Sequence, residues 1–349
     1  MSETAGADPA VVGPYLAEAL DDPSWKDCSV SLIAGGKSNL TYRVDCSAGS
    51  LVLRRPPLGH VLPTAHDMAR EHRVMSALQD TAVPVPRTLH FCSDADLLGQ
   101  PFYVMERVEG HIITSRLPEG YANTTEDRAA ISNSLVDVLA ALHSVDYDAV
   151  GLGEFGRPDG YLTRQLSRWS KQWDATRIEG MEQVDALATA LTAQLPATQR
   201  FSIVHGDYRL DNTMLHPTQV GRINAVLDWE MSTLGDPLAD LGILCVYWAQ
   251  ESDPDLRKQG APVGAVTSLP GFLTRAEVAS GYADRTGLDV TDLPWYVAFG
   301  FFKLAVVCAG IAMRVKFGAM VGEGFDGFEE RVPPLIAIGQ ATLADRQLY

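Results

Sequence analysis

Residues 201–216, FSIVHGDYRLDNTMLH, place one His, two Asp and one Asn in a single polar turn between the apolar runs FSIV and TML. Asp207 and Asn212 lie five residues apart, and Asp228 follows a further apolar run, INAVL. If TML and INAVL pair as a hairpin across HPTQVGR, Asn212 and Asp228 return to the same end of it. That end is an oxygen-ligand site of the kind magnesium prefers, one or two carboxylates plus substrate phosphate oxygens. Asp207 then stands at its rim, placed to orient an attacking hydroxyl and accept its proton late in the reaction. The alternative is an Asx-rich turn that satisfies only its own backbone. The later, strand-borne Asp228 favours the metal–phosphate site.

The first third of the chain offers an independent check. Arg54 ends the run LVLR, and Glu71 falls on the apolar stripe Met68, Met75 and Leu78 of a predicted helix. A carboxylate on a buried stripe is costly unless a cation pairs with it, and Arg54 is the candidate partner. A cation so held can grip the anhydride oxygens of ATP; a purely structural ion pair is the competing reading. Between two strands, AGGKSN (34–39) offers backbone N–H groups, Lys37 and the Ser38 hydroxyl to phosphates, or serves only as a hairpin turn.

The elements that must position these groups fall into two classes. VSLIAG, NLTYRVD and SLVLRR read as an antiparallel meander punctuated by glycine turns. The helix HDMAREHRVMSALQ follows, and then the strands TLHFC and PFYVME. From residue 111 helices dominate (EDRAAISNSLVDVLAALHSV, YLTRQLSRWSKQW, residues 236–249 and the C-terminal segments), interrupted only by FSIV, TML and INAVL. Strand-rich first and helix-rich second predicts an α+β chain of two lobes joined near residues 105–110. A tail and leading helix (1–27) precede an N-lobe (28–108), with a helical C-lobe over 109–349.

Composition narrows the function. Twenty-eight basic and forty-four acidic side chains give a net charge of −16, which argues against nucleic acid as a partner because backbone binding works by releasing counterions from neutralised phosphates. The five cysteines show no C-x-x-C spacing and read as reduced core residues of a cytoplasmic protein. The polar, acidic N-terminus has no secretory pattern. WYVAFGFFKLAVVCAGIAM (295–313) approaches the roughly 20 residues of a membrane span, but Lys303 at its middle would be expensive there. A buried C-terminal helix is the expectation, with no membrane span.

Taken together, HGDYRLDN (205–212), VLDWE (226–230) and LGDPLADLG (234–242) resemble the catalytic motifs of the aminoglycoside phosphotransferase and choline kinase-like superfamily. GGKSNLTYRV, VLRRPPLGH, AHDMAREHRVMSAL, VPVPR and GQPFYVMERVEG resemble the subgroup whose relatives occur as kinase-like domains fused to acyl-CoA dehydrogenases. The resemblance implies a bilobal protein-kinase-like fold, with a five-stranded antiparallel sheet plus helix in the N-lobe and a mostly helical C-lobe. It implies ATP and Mg²⁺ as cofactors. By position, Asp207 matches the catalytic base, Asn212 and Asp228 the magnesium ligands, Glu71 the helix carboxylate, and Ser38 with Asn39 the phosphate-covering loop. Met105 matches the residue behind the adenine pocket, and Glu106 and Val108 match the hinge. His205 and Asp240 match supports of the catalytic loop, and Asp236 a structural turn residue. Two positions depart from the pattern. Arg54 stands where Lys is usual, and binds phosphate as a fork rather than a point charge. Gly206 stands where regulated protein kinases carry Arg, so control by activation-loop phosphorylation is not expected.

The acceptor is less legible. Arg164, Arg168 and Lys171 share a helical face beside Trp169 and Trp173. Cations interleaved with aromatics suit an anionic acceptor with an acyl part, such as a coenzyme A thioester; a helix packed by its tryptophans is the alternative. Arg314, near the end of the apolar helix, adds to a basic patch or opposes the helix dipole. The expectation is an ATP- and Mg²⁺-dependent phosphotransferase acting on a small-molecule hydroxyl, a hydroxyacyl thioester ahead of an aminoglycoside. A nucleotide-binding pseudokinase is the rival class. Oligomeric state is not legible.

Overall fold

The computed structural model describes residues 5–33, 39–58, 66–260, 265–317 and 327–348. Ser38 and Lys37 lie outside the described residues. The chain forms two compact units, one of residues 1–110 with 224–232 and one of residues 111–223 with 233–349.

The first unit is built on a five-stranded antiparallel sheet in the order β1-β2-β3-β5-β4, with β1 Ser29–Leu32, β2 Leu40–Cys46, β3 Gly49–Arg55, β4 Thr88–Cys92 and β5 Phe102–Glu106. Side chains alternate between its faces. One face, with Tyr42, Val44, Leu51, Leu53, Phe102 and Val104, makes a core with Val12 and Leu16 of helix α1 (Pro9–Ala19) and with Trp25. Thr41, Arg54 and Tyr103 are register partners on adjacent strands and belong to the opposite face. Helix α2 (Met68–Leu78), capped by the Asp67 carboxylate accepting from the Arg70 N–H, buries Met68, Glu71, Val74, Met75 and Leu78. The predicted stripe is therefore the buried face, Glu71 included. A one-turn helix, α3 (Ala95–Leu98), interrupts the β4–β5 connection.

Helices α4 (Thr125–Ser144), α5 (Tyr161–Ala175), α6 (Glu182–Ala193), α7 (Leu238–Tyr247), α8 (Asp255–Gly260), α9 (Arg275–Thr286), α10 (Leu293–Lys316) and α11 (Val332–Asp345) dominate the second unit. Strands β6 (Ser202–Val204) and β9 (Thr233–Gly235) pair antiparallel, and β9 is a strand the sequence reading lacks. Strand β7 (Thr213–Leu215) runs into a turn closed by the His216 N–H donating to the Arg222 carbonyl at 2.8 Å, the reversal expected at HPTQVGR. β8 (Ile223–Val226) carries the chain on. The long apolar segment is a core helix: α10 packs on α5, α7 and α11, and its residues from Leu293 to Phe302 are all buried. Gly242 makes the α7–α10 contact close, because a Cβ there would stand 2.8 Å from the Tyr296 Cβ. Cys92, Cys245 and Cys308 are buried as expected; Cys28 and Cys46, at the sheet margin, are only half-buried, and all five are free thiols.

Candidate active site

The second unit holds the HGDYRLDN turn by its backbone. Gly206 has φ +85°, a left-handed conformation that glycine adopts without Cβ strain. The fully buried Asp240 carboxylate, in the first turn of α7, accepts the His205 N–H at 2.6 Å and the Gly206 N–H at 2.8 Å. His143 of α4 lies 3.2 Å from the same carboxylate and 2.7 Å from the Tyr282 hydroxyl. Burial alone would raise the Asp240 carboxyl, but the His143 hydrogen bond, the two imidazoles and the backbone donor hold it below the ordinary value of 3.8. His205 is buried, and its Nδ1 accepts the Asp207 N–H at 3.2 Å. Asp236, placed by the sequence as a turn residue, accepts from the Leu238 N–H at 3.0 Å and the Tyr296 hydroxyl at 2.8 Å.

At the end of this scaffold stands Asp207, its side chain 23% exposed. The Asn212 amide nitrogen donates to the Asp207 carbonyl at 2.8 Å and to its carboxylate at 2.9 Å, and the amide oxygen takes no hydrogen bond from the described residues. Two cations that the sequence reading does not place here are neighbours. The Arg209 Nε lies 3.2 Å from the Asp207 carboxylate and another guanidinium nitrogen 2.8 Å from Asp211, while the guanidinium stacks 4.3 Å over Tyr247. Lys303 of α10 donates to the Gly206 carbonyl at 2.7 Å. The rule that sent Glu71 in search of a cation, applied to a lone lysine in an apolar helix, is the signal that would have found Lys303.

In the first unit the predicted Arg54–Glu71 pair is present, Nε to carboxylate at 2.9 Å. It is part of a larger cluster. A terminal nitrogen of Arg54 reaches the Asp228 carboxylate at 2.6 Å, and the other donates to the Thr41 hydroxyl at 3.3 Å. Glu71 also accepts from the Tyr103 hydroxyl at 2.9 Å and the Asn39 amide at 2.8 Å, and Asn39 further donates to Glu230 at 3.3 Å. Asn39 is buried, and its own amide oxygen has no hydrogen-bond partner among the described residues. Burial pushes the Glu71 carboxyl up to about 7, against the pull of Arg54 and Tyr103 and with the carboxylates of Asp228 and Glu230 adding to the rise. Burial disfavours the Arg54 charge, but Glu71 and Asp228 hold it firmly protonated. Asp228 itself has φ +66°, a left-handed conformation that Asp tolerates better than most residues, with the Trp229 indole closing the turn onto the Val226 carbonyl at 3.0 Å. The sequence reading misses the Asp228 partner of Arg54 because 174 residues separate them.

The remaining candidates are placed as follows. Met105 is buried in β5; Glu106 ends it, exposed, with its N–H donating to the Arg87 carbonyl at 2.8 Å, and Val108 is half-buried just beyond. On α5, Trp169 and Trp173 are 5% and 1% exposed, so they pack the core as the packed-helix alternative expects. Arg168 is exposed with its guanidinium 5.6 Å from the Trp169 ring, and the exposed Arg164 donates to the Arg157 and Asp159 carbonyls. Arg314 is exposed in the last turn of α10.

A five-stranded sheet with one inward carboxylate-bearing helix, followed by a helical unit with a clamped H-x-D-x-x-x-x-N loop, defines a protein-kinase-like phosphotransferase fold. The phosphotransferase enzyme family profile matches residues 29–262, and the chain belongs to that family. Acyl-CoA dehydrogenase family member 11 of Rattus norvegicus is 37% identical over 314 residues, covering 89% of this chain and 40% of that protein. Acyl-CoA dehydrogenase family member 10 of Mus musculus is 40% identical over 285 residues, covering 81% of this chain and 26% of that protein. The chain thus spans about two fifths or less of the length of these relatives. A crystal structure of a Ralstonia eutropha JMP134 protein, provisionally termed an aminoglycoside phosphotransferase, matches with TM-score 0.81 and 34% identity over 97% of this chain and 98% of that one. Choline kinase from Cryptosporidium parvum shares the fold at TM-score 0.66 and 12% identity, covering 98% of each chain.

Proposed function

We propose that the chain transfers the γ-phosphate of ATP, with Mg²⁺, to a hydroxyl of a small molecule, and that the acceptor is a hydroxyacyl thioester. The observation that carries the reading is the Asn212 amide turned onto the Asp207 carboxylate. It orients the carboxylate and leaves the amide oxygen available as a metal ligand. In this reading Asp207 aligns the acceptor hydroxyl and takes its proton as the bond to phosphorus forms. Asn212 and Asp228 are assigned as oxygen ligands of magnesium. The donor set fits: both are hard oxygen groups, and Asp228 has one oxygen engaged by Arg54 and a second left for a cation. Bound magnesium would neutralise phosphate charge. Arg54 grips phosphate oxygens once nucleotide competes for its fork, Asn39 with Ser38 covers the phosphates, and Glu106 and Val108 present backbone groups to adenine beside Met105. An aminoglycoside kinase of the same fold, APH(4)-Ia, is solved with ADP and hygromycin B at TM-score 0.60 and 14% identity, which supports a nucleotide as donor.

The relatives named for acyl-CoA dehydrogenases and the cations near Asp207 support the thioester. Arg209 touches the Asp207 carboxylate, and Lys303 lies in the fields of Asp207, Arg168 and Arg209. In this reading the set favours an anionic acceptor over a polycationic aminoglycoside. A pseudokinase is the second reading, favoured by one observation: all three guanidinium nitrogens of Arg54 already have protein partners. A panel of hydroxyacyl-CoA thioesters and aminoglycosides incubated with the purified chain and MgATP decides among these. Phosphorylated thioester is the expected product; phosphorylated aminoglycoside alone overturns the acceptor, and nucleotide binding without transfer to any hydroxyl establishes the pseudokinase.

A further inference from the structure

We propose that Lys303 is a positioning residue for Asp207: from the middle of α10 it pins the Gly206 carbonyl and so fixes the turn that aims the Asp207 carboxylate. The inference rests on the reading of Asp207 as the base of phosphotransfer.

Burying an ammonium in an apolar helix is costly unless it is well partnered. Burial lowers the Lys303 ammonium, while the carboxylates of Asp207 and Asp240 oppose that fall. Its partners account for its position. Nζ donates to the Gly206 carbonyl at 2.7 Å and sits 5.5 Å from the face of Trp169, a buried ring that contributes a cation–π contact.

The Gly206 carbonyl belongs to the peptide bond that leads into Asp207. A peptide unit is planar, so holding its two ends fixes its orientation. Lys303 holds the C=O end, and the His205 imidazole holds the N–H end at 3.2 Å. The preceding peptide N–H groups, of His205 and Gly206, are held by Asp240. Two helices packed together, α7 and α10, therefore deliver opposite charges to complementary poles of one backbone turn. Left unpinned on one side, a left-handed glycine would allow its peptide plane to rotate and carry Asp207 with it.

The test uses the full chain with K303M, which keeps the apolar stem of the side chain and removes donor and charge, and K303R, which keeps both. Turnover of MgATP with water as acceptor gives kcat and KM, and amide exchange at residues 205–208 gives an activity-independent readout. K303M should lower kcat about a hundredfold, the cost of a small misplacement of a reacting group, with KM for ATP changed less than about twofold. Exchange at the Asp207 amide should quicken, and K303R should recover most of both losses. Wild-type kcat in K303M overturns the proposal, as does unchanged exchange at Asp207. Exchange that quickens equally across the whole second unit also overturns it, because Lys303 is then only packing. If the unmodified chain turns over no MgATP with water, the Asp207 amide alone decides whether Lys303 holds the turn, and the phosphotransfer reading stands or falls on the panel of hydroxyl acceptors.

Discussion

Glu71 and Asp240 are both carboxylates on helices, both about 1% exposed or less, and they respond to burial in opposite directions. Glu71 is pushed up to about 7 although a guanidinium lies 2.9 Å away. Asp240 is held below 3.8 with no arginine among its hydrogen-bond partners in the described residues. The difference lies in the company. Asp240 accepts from two backbone N–H groups that cannot move without unmaking the turn, and from an imidazole fixed on α4. Glu71 shares its arginine with Asp228, and a second carboxylate, Glu230, adds to the local negative charge. Backbone donors committed to one acceptor build a rigid support. An arginine divided between carboxylates builds a cluster whose partners can be exchanged, which suits the phosphate and cation binding proposed for it.

Asp240→Ala should break this contrast most severely. It strands the buried His205 N–H, the half-buried Gly206 N–H and a buried imidazole, and the loss of stability should be about 3–5 kcal/mol in denaturant unfolding, the cost of removing one member of a buried charged network. A loss no larger than that of an ordinary surface substitution would show that the turn holds itself. Arg54→Ala should act on ligand more than on fold. Nucleotide affinity measured by calorimetry should fall by about 1.5–3 kcal/mol, a charge-assisted contact's worth. Unchanged affinity would reduce the cluster to a structural ion pair.

Acid and base sharpen the comparison with the smallest effect. A depressed Asp240 contributes stability that is present above the unfolded value near 3.8 and is lost as pH falls through its lower folded value. A raised Glu71 does the reverse: its contribution is intact below 4.5 and is lost as pH rises through about 7. Amide exchange at residues 205–208 should therefore quicken only in strong acid, while exchange around Arg54 and Glu71 should quicken between about pH 4.5 and 7. Identical pH profiles in the two regions would remove the distinction.

Much of this was legible in the chain. The five strands and α2 follow from short apolar runs between turn signals and one apolar stripe, and the Arg54–Glu71 pair follows from the cost of an unpaired carboxylate on that stripe. Asp207 and Asn212 follow from their spacing taken with the later, strand-borne Asp228, and the structure joins the first two by a hydrogen bond. Three things were not legible. Asp228, Tyr103 and Asn39 reach Arg54 and Glu71 from distant sequence, and no local pattern records that convergence. Trp169 and Trp173 alternate with cations whether they face a ligand or a core; only the packing of α10 on α5 reveals the core. Lys303 served in the sequence as a mark against a membrane span, and its partner was hidden because a backbone carbonyl leaves no signature in side-chain types.

The central claim is that Asp207 is the group that engages the acceptor hydroxyl. Asp207→Asn keeps the shape and a hydrogen-bonding partner for Asn212 while removing the charge that accepts a proton. Magnesium-dependent phosphate transfer from ATP should be abolished in this variant, with calorimetric nucleotide affinity equal to that of the unmodified chain. Transfer that proceeds at the unmodified rate would contradict the account.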